Sequence, residues 1–183
     1  TVPHERVVVV GAAGTILYTE PGLAGLTSSF VISNKFATQD FHGVAYHDGT
    51  FVAVGNQGSI YRSTDGETWS GVTTTSITTT LRGIHYGEDR WIAVGAASSV
   101  ISSTDDGLNW SVVSDNTDIG VSFTIEDVHY KNNVWLAVGT QGRTLNSING
   151  KNWFQAPIPN TPQTFRGLTY GDNKMVAVGG GIS

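Results

Sequence analysis

A Val-Gly pair that closes a short apolar run comes round five times in this chain, and that recurrence limits the possible folds more than any other feature of the sequence. The glycine falls at Gly11, Gly55, Gly95, Gly139 and Gly179, at spacings of 44, 40, 44 and 40 residues. Nine residues before each of the last four stands a tyrosine: Tyr46, Tyr86, Tyr130 and Tyr170. Polar turns lie between tyrosine and glycine (His47-Asp-Gly-Thr50, Gly87-Glu-Asp-Arg90, Lys131-Asn-Asn133 and Gly171-Asp-Asn-Lys174), each suited to a β-hairpin. Every repeat therefore opens with a pair of strands. Positions that stay constant between copies serve the shared architecture, so the repeats do the work of an alignment.

After the glycine a short turn leads to a third strand, predicted over Thr15 to Tyr18, Ser59 to Arg62, Ser99 to Ser102 and Arg143 to Asn146. The chain then meets the turns Ser63-Thr-Asp-Gly-Glu-Thr-Trp69, Ser103-Thr-Asp-Asp-Gly-Leu-Asn-Trp110 and Ser147-Ile-Asn-Gly-Lys-Asn-Trp153, each introducing a fourth strand. Four antiparallel strands per unit of about 40 to 45 residues is the pattern of a β-propeller blade. The expectation is one all-β domain over residues 1–183, with repeats at about 1–40 (partial), 41–81, 82–124, 125–165 and 166–183 (partial). Seventeen strands follow, where four whole blades would use sixteen. Five blades with incomplete first and last members is the reading taken; the alternatives are four blades with one displaced copy of the second strand, or a segment of a larger ring. Incomplete blades expose strand edges, which implies a homo-oligomer through the terminal blades. The chain starts with Thr1, not Met, so it is expected to be processed or to belong to something longer.

The Ser-x-Asp-x-Gly-x-x-Trp turn resembles the Asp-box, or BNR repeat, of sialidase-like and photosystem II assembly-factor-like propellers. Ser103, Asp105 and Trp110 fit it fully; Ser63, Asp65 and Trp69 sit in a turn one residue shorter, and Ser147, Asn149 and Trp153 have an asparagine for the aspartate. The first copy, Thr19-Glu-Pro-Gly22, has lost the motif. The surrounding wording is similar to repeats of phage structural proteins and bacterial surface proteins, which implies an extracellular, surface or virion setting. The resemblance implies that these turns are structural and lie away from the ligand face.

Composition narrows the function. The net charge of -5 is mild and the ten basic residues are scattered, so neither a nucleic-acid footprint nor an anionic-membrane patch is expected. The longest apolar run, Val7 to Tyr18, is too short to span a bilayer and is interrupted by Gly11 and Gly14, so it reads as two strands. Without cysteine there is no disulfide framework and no thiolate nucleophile or metal ligand.

The tryptophans Trp69, Trp110 and Trp153 could stack on sugars, but recurrence in every good copy marks them as packing residues between blades. Trp91 and Trp135 open second strands at sites matched to Phe51 and Lys174, and read as packing residues too. Asp65, Asp105 and Asp106 could suggest calcium, yet each turn offers too few oxygens, and closure of the turn's own amides accounts for them better. His85 and His129 lack the third ligand a zinc site needs. No cofactor or metal is expected.

The positions that differ between matched copies carry the candidate site. Four residues before each tyrosine come His42, Arg82, Glu126 and Arg166, on the strand that would line the central channel. Such a ring could bind an anionic or polar ligand, with the arginines as donors, Glu126 as acceptor and His42 as an adjustable partner. On the other reading Glu126 merely neutralises the arginines and the channel holds water. The connections Thr73 to Thr80, Ser114 to Thr124 and Ala156 to Thr164 vary most and are expected to share one end of the ring with the turns after the Val-Gly pairs. A sialidase-like glycosidase would need a third arginine that the ring lacks. The function read from the sequence is therefore a non-catalytic module for a protein or glycan partner, with a glycosidase or a self-assembling propeller fragment as alternatives.

Overall fold

The structure, a computed structural model, describes residues 6–19, 30–33, 39–74, 77–113, 122–156 and 163–181. Among these residues seventeen strands form five antiparallel sheets, each strand paired with its neighbour in sequence. The first sheet holds β1 (Val8–Val10), β2 (Ile16–Thr19) and β3 (Phe30–Ile32). The second holds β4 (Phe41–His47), β5 (Thr50–Gly55), β6 (Ile60–Ser63) and β7 (Ser70–Gly71), and the third β8 (Leu81–Gly87), β9 (Arg90–Gly95), β10 (Val100–Ser103) and β11 (Ser111–Val112). The fourth holds β12 (Ile125–Lys131), β13 (Val134–Gly139), β14 (Thr144–Ser147) and β15 (Phe154–Gln155), and the fifth β16 (Thr164–Gly171) and β17 (Lys174–Gly180). The fold is an all-β propeller of five blades, in which, among the described residues, the first has three strands and the last two.

Two details of register correct the sequence reading. The third strands run one residue later than expected, because Ser63, Ser103 and Ser147 still pair with Phe51, Trp91 and Trp135 on the second strands. The pairs Tyr46 with Phe51, Tyr86 with Trp91 and Tyr130 with Trp135 recur in the fifth blade as Tyr170 with Met175, so Met175 and not Lys174 is the counterpart of the tryptophans. Lys174 sits at the hairpin end, opposite Gly171.

The recurring Val-Gly glycine has a packing reason. Its backbone is extended at Gly55, Gly95 and Gly139, so conformational freedom is not what selects it. A Cβ at Gly55, Gly95, Gly139 or Gly179 would instead run into the backbone carbonyl of Asp40, Thr80, Thr124 or Thr164, beside the start of the same blade's first strand. Only a residue without a side chain lets the hairpin close that tightly.

Strand alternation builds the core between blades instead of within them. On β9, Trp91 and Ala93 join Val52, Val54 and Ile60 of the second blade, while Ile92 and Val94 join Ile125, Trp135 and Leu145 of the fourth. Trp69, Trp91, Trp135 and Trp153 are all buried in such contacts, and Trp110 is half-buried against the second blade. The first strands pack on one another in the order β4, β8, β12, β16, which sets them innermost. The fourth strands β7, β11 and β15 are two residues long and exposed at the outside.

Candidate functional site

The four first strands share one irregularity. Pairing with the second strand skips a residue between Phe41 and Gly43, Leu81 and Gly83, Ile125 and Asp127, and Phe165 and Gly167. The skipped residues are His42, Arg82, Glu126 and Arg166. A β-bulge turns the extra residue out of the regular alternation and re-aims its side chain. All four line one polar cavity of about 370 Å³ that lies between β4, β8, β12 and β16 and opens to solvent; Arg82 and Glu126 are half-buried in it, His42 and Arg166 exposed. The structure thus brings together every residue of the ring expected from sequence.

The charges in this cavity are not spent on one another. Among the described residues the ion pairs are Arg6 with Glu67 and Arg62 with Asp106, and neither is in the cavity. Arg82, Glu126 and Arg166 make no hydrogen bond or ion pair within the described residues, and the buried Nε of Arg82 has no acceptor. Glu126 therefore stands in direct contact with neither arginine. His42 differs: its Nε2 lies 2.8 Å from Oδ1 of Asn56, whose Nδ2 donates to Oδ2 of Asp40 at 3.3 Å.

Sequence reasoning missed Asp127. It follows the bulge in the fourth blade where the other blades have Gly43, Gly83 and Gly167, and it lines the same cavity. Its Oδ1 accepts the amide of Val128 at 2.8 Å and its Oδ2 the amide of Leu168 at 2.7 Å, which ties β12 to β16. Burial pushes its carboxyl above the usual range, and the amides of Leu168 and Val128 pull part of the way back. The lone departure from glycine was the signal available in the sequence.

The variable connections do share an end with the turns that follow the Val-Gly pairs. Ala96 donates to the carbonyl of Thr80 at 2.8 Å, Ser98 to Phe123 at 2.7 Å and Gly142 to Gln163 at 2.5 Å. Residues 75–76, 114–121 and 157–162 of these connections, and residues 20–22 of the first-copy turn, lie outside the described residues.

The Ser-x-Asp turns close on themselves. The Ser63 hydroxyl accepts the Gly66 amide at 2.8 Å and donates to Oδ1 of Asp65, which accepts the amides of Glu67 and Thr68 at 2.8 and 2.7 Å. Ser103 and Asp105 repeat the arrangement. So do Ser147 and Asn149, whose neutral side-chain oxygen serves as well as a carboxylate. Each tryptophan returns its indole N–H to the turn: Trp69 to the Gly66 carbonyl, Trp110 to Gly107 and Trp153 to Gly150. Burial raises the Asp65 carboxyl, but the amides of Thr68 and Glu67 outweigh it and hold it below the usual range. At Asp105 the Asn109 side chain and amide do the lowering. Asp106 departs from the sequence reading: it does not close its own turn but reaches the second blade, accepting from Thr50 Oγ1 at 2.9 Å and from the Arg62 guanidinium.

The two histidines meet across blades. The rings of His85 and His129 lie 4.0 Å apart, with Trp135 edge-on to His85. Burial, reinforced by the charge of His129, lowers the His85 imidazole to about 4. Among the described residues no three histidine, aspartate or glutamate side chains group so as to hold a metal ion.

A family model described as the DUF6242 beta propeller domain matches residues 2–124. No curated protein matches the sequence. Among solved structures, a chain of a nidogen/laminin complex is 14% identical with a TM-score of 0.73, over 96% of this chain and 70% of that one. YCF48 bound to D1 peptide is 14% identical with a TM-score of 0.50, over 96% and 86%. YjhT is 8% identical with a TM-score of 0.69, over 91% and 66%. At these identities the likeness is one of fold.

Proposed function

The chain belongs to the DUF6242 beta propeller domain family, and from that premise we propose that it is a non-catalytic binding module whose inner cavity is the ligand site and whose loop-bearing end contacts a protein partner. The observation that carries this reading is the set of unpaired charges. Arg82, Glu126 and Arg166 sit on matched bulges of three successive first strands, in one cavity, without partners among the described residues. Arg82 and Glu126 are half-buried and Arg166 is exposed; keeping the two half-buried charges unpaired disfavours the folded state, and a ligand that pairs them recovers the difference. The nidogen/laminin and YCF48/D1 peptide structures are of proteins with this fold in complexes with protein or peptide, which supports a protein partner. We read the Ser-x-Asp turns as structural Asp-boxes, since their oxygens are used on their own amides. The ring has two arginines, and the remaining positions hold His42 and Glu126, which does not match a three-arginine carboxylate clamp of the glycosidase kind.

Peptide and glycan arrays probed with the parent protein and with Arg82→Ala/Arg166→Ala test this. Loss of binding in the double variant, with its melting unchanged, supports the inner cavity; binding unchanged in that variant overturns it.

A second reading concerns assembly. In the first blade Val9, Leu17 and Ile32 share a row that faces away from the second blade; Val9 and Ile32 are exposed, as are Val7 and Phe30. In the fifth blade Val176 and Val178 are exposed. Equivalent rows in the inner blades are covered by a neighbouring blade, so these faces suit another copy placed head to tail. Mass in solution, measured over a range of concentration for the parent and for Val9→Lys/Ile32→Lys, tests it; a single monomer mass for the parent throughout sinks it.

A further inference from the structure

The cavity charges have an arrangement that limits what can enter. Arg82, Glu126 and Arg166 occupy the same bulge position in three consecutive blades, so the carboxylate of Glu126 comes between two guanidiniums in ring order. The three form no ion pair with one another, although they line one cavity. Asp127 adds a second carboxylate to the wall, but both of its oxygens are engaged by the amides of Val128 and Leu168. His42 is engaged by Asn56.

A ligand with negative charge alone would satisfy the arginines while facing Glu126 and Asp127 unshielded. One with positive charge alone would satisfy Glu126 and meet both arginines. The first leaves the half-buried Glu126 uncompensated and the second the half-buried Arg82, which is the costly outcome; the exposed Arg166 adds little to that cost. A molecule carrying both signs leaves none. The volume of about 370 Å³ lies at the small end of the range for ligand pockets and has room for a compact polar molecule with some water.

Building on the reading of this cavity as the ligand site, we propose that it takes a small zwitterion of the amino-acid class, its carboxylate held by Arg82 and Arg166 and its ammonium by Glu126. Guanidinium groups bind carboxylate in planar, paired fashion, and Glu126 offers acceptors only, so the two ends of the ligand are distinguished. The negative potential of Asp127 favours the ammonium on the β12 side.

Titration calorimetry with a panel of L-amino acids, followed for the tightest by its desamino acid and its decarboxylated amine, tests the proposal. Expected is binding of the amino acid, a loss of about ten-fold or more for each truncated analogue, and loss of all binding in Arg82→Ala/Arg166→Ala. In Glu126→Gln the preference for the amino acid over its desamino analogue should vanish. If the desamino acid binds the parent as tightly as the amino acid, the zwitterion proposal falls while the cavity remains an anion site. If no amino acid binds at millimolar concentration, the proposal also falls. The array result on the arginine variant then decides separately whether the cavity is a ligand site at all.

Discussion

Arg62 of β6 holds Asp106 of the next blade: its Nε donates to the Asp106 carbonyl at 2.8 Å and its guanidinium pairs with the Asp106 carboxylate. Asp106 is the residue by which the third blade's turn exceeds the second's, and its backbone is left-handed at a φ of 61°. The extra residue bulges the turn towards the preceding blade and supplies a latch between the two. Because the carboxylate is about half exposed, solvent screens the pair. Arg62→Ala and Asp106→Ala should each cost about 1 kcal/mol or less, with a double-mutant coupling of about 0.5 kcal/mol. Urea denaturation of the two single variants and the double variant measures it; additive losses would show that the latch is geometric only.

The tryptophans should rank by burial. Trp153 is 1% exposed, packs with Trp135 across the fourth blade and returns its N–H to Gly150. Trp153→Ala should cost about 3–5 kcal/mol, and Trp110→Ala, in its half-buried site, distinctly less. Equal melting temperatures for the two variants would contradict this ranking.

Glycines that follow the bulges should differ sharply. A Cβ at Gly83 would stand 2.8 Å from the Cα of Asp127 on the next blade, whereas one at Gly167 meets only the Val178 side chain, at 3.5 Å. Backbone cannot yield as a side chain can, so Gly83→Ala should lose about 1–3 kcal/mol. Gly167→Ala should be close to neutral. Thermal unfolding of the pair checks it.

Acid should weaken the contact between the third and fourth blades. His85 titrates near 4 in the folded chain against an ordinary value of 6.5, so above 6.5 both states carry a neutral ring and the group contributes no pH dependence. Between 6.5 and 4 the unfolded chain takes up the proton first, and stability falls as pH falls, by on the order of 3 kcal/mol across the window. Asp127 acts in the opposite sense: its raised carboxyl returns stability as pH drops through its own folded value. Denaturation at pH 7 and pH 4.5 should show the loss, and His85→Ala, which copies Ala45 of the second blade, should flatten it.

Much of the candidate site could be read from the chain because its members occupy one position of a repeat. His42, Arg82, Glu126 and Arg166 are legible as a set once the tyrosines are aligned. That each is a bulged residue is not legible, because a bulge depends on pairing with a strand some ten residues on, and the hairpin turns are compatible with regular pairing as well. Asp127 was visible only as an odd residue among glycines. Its bond to the Leu168 amide joins positions about forty residues apart, which no local pattern encodes.

What the sequence determined by itself was the unit: strand lengths, hairpin turns, self-closing Ser-x-Asp turns and the spacing of the Val-Gly pairs. These follow from period-two alternation and turn chemistry, which act over a few residues. What only the tertiary structure decided was how units meet: that the recurring glycine answers to a carbonyl beside the blade's first strand, that Asp106 belongs to Arg62 rather than to its own turn, and that Glu126 stands between two arginines without touching either. Those outcomes depend on the separation and tilt of neighbouring sheets, set by the side chains packed between them, and the order of residues along one strand does not specify that distance.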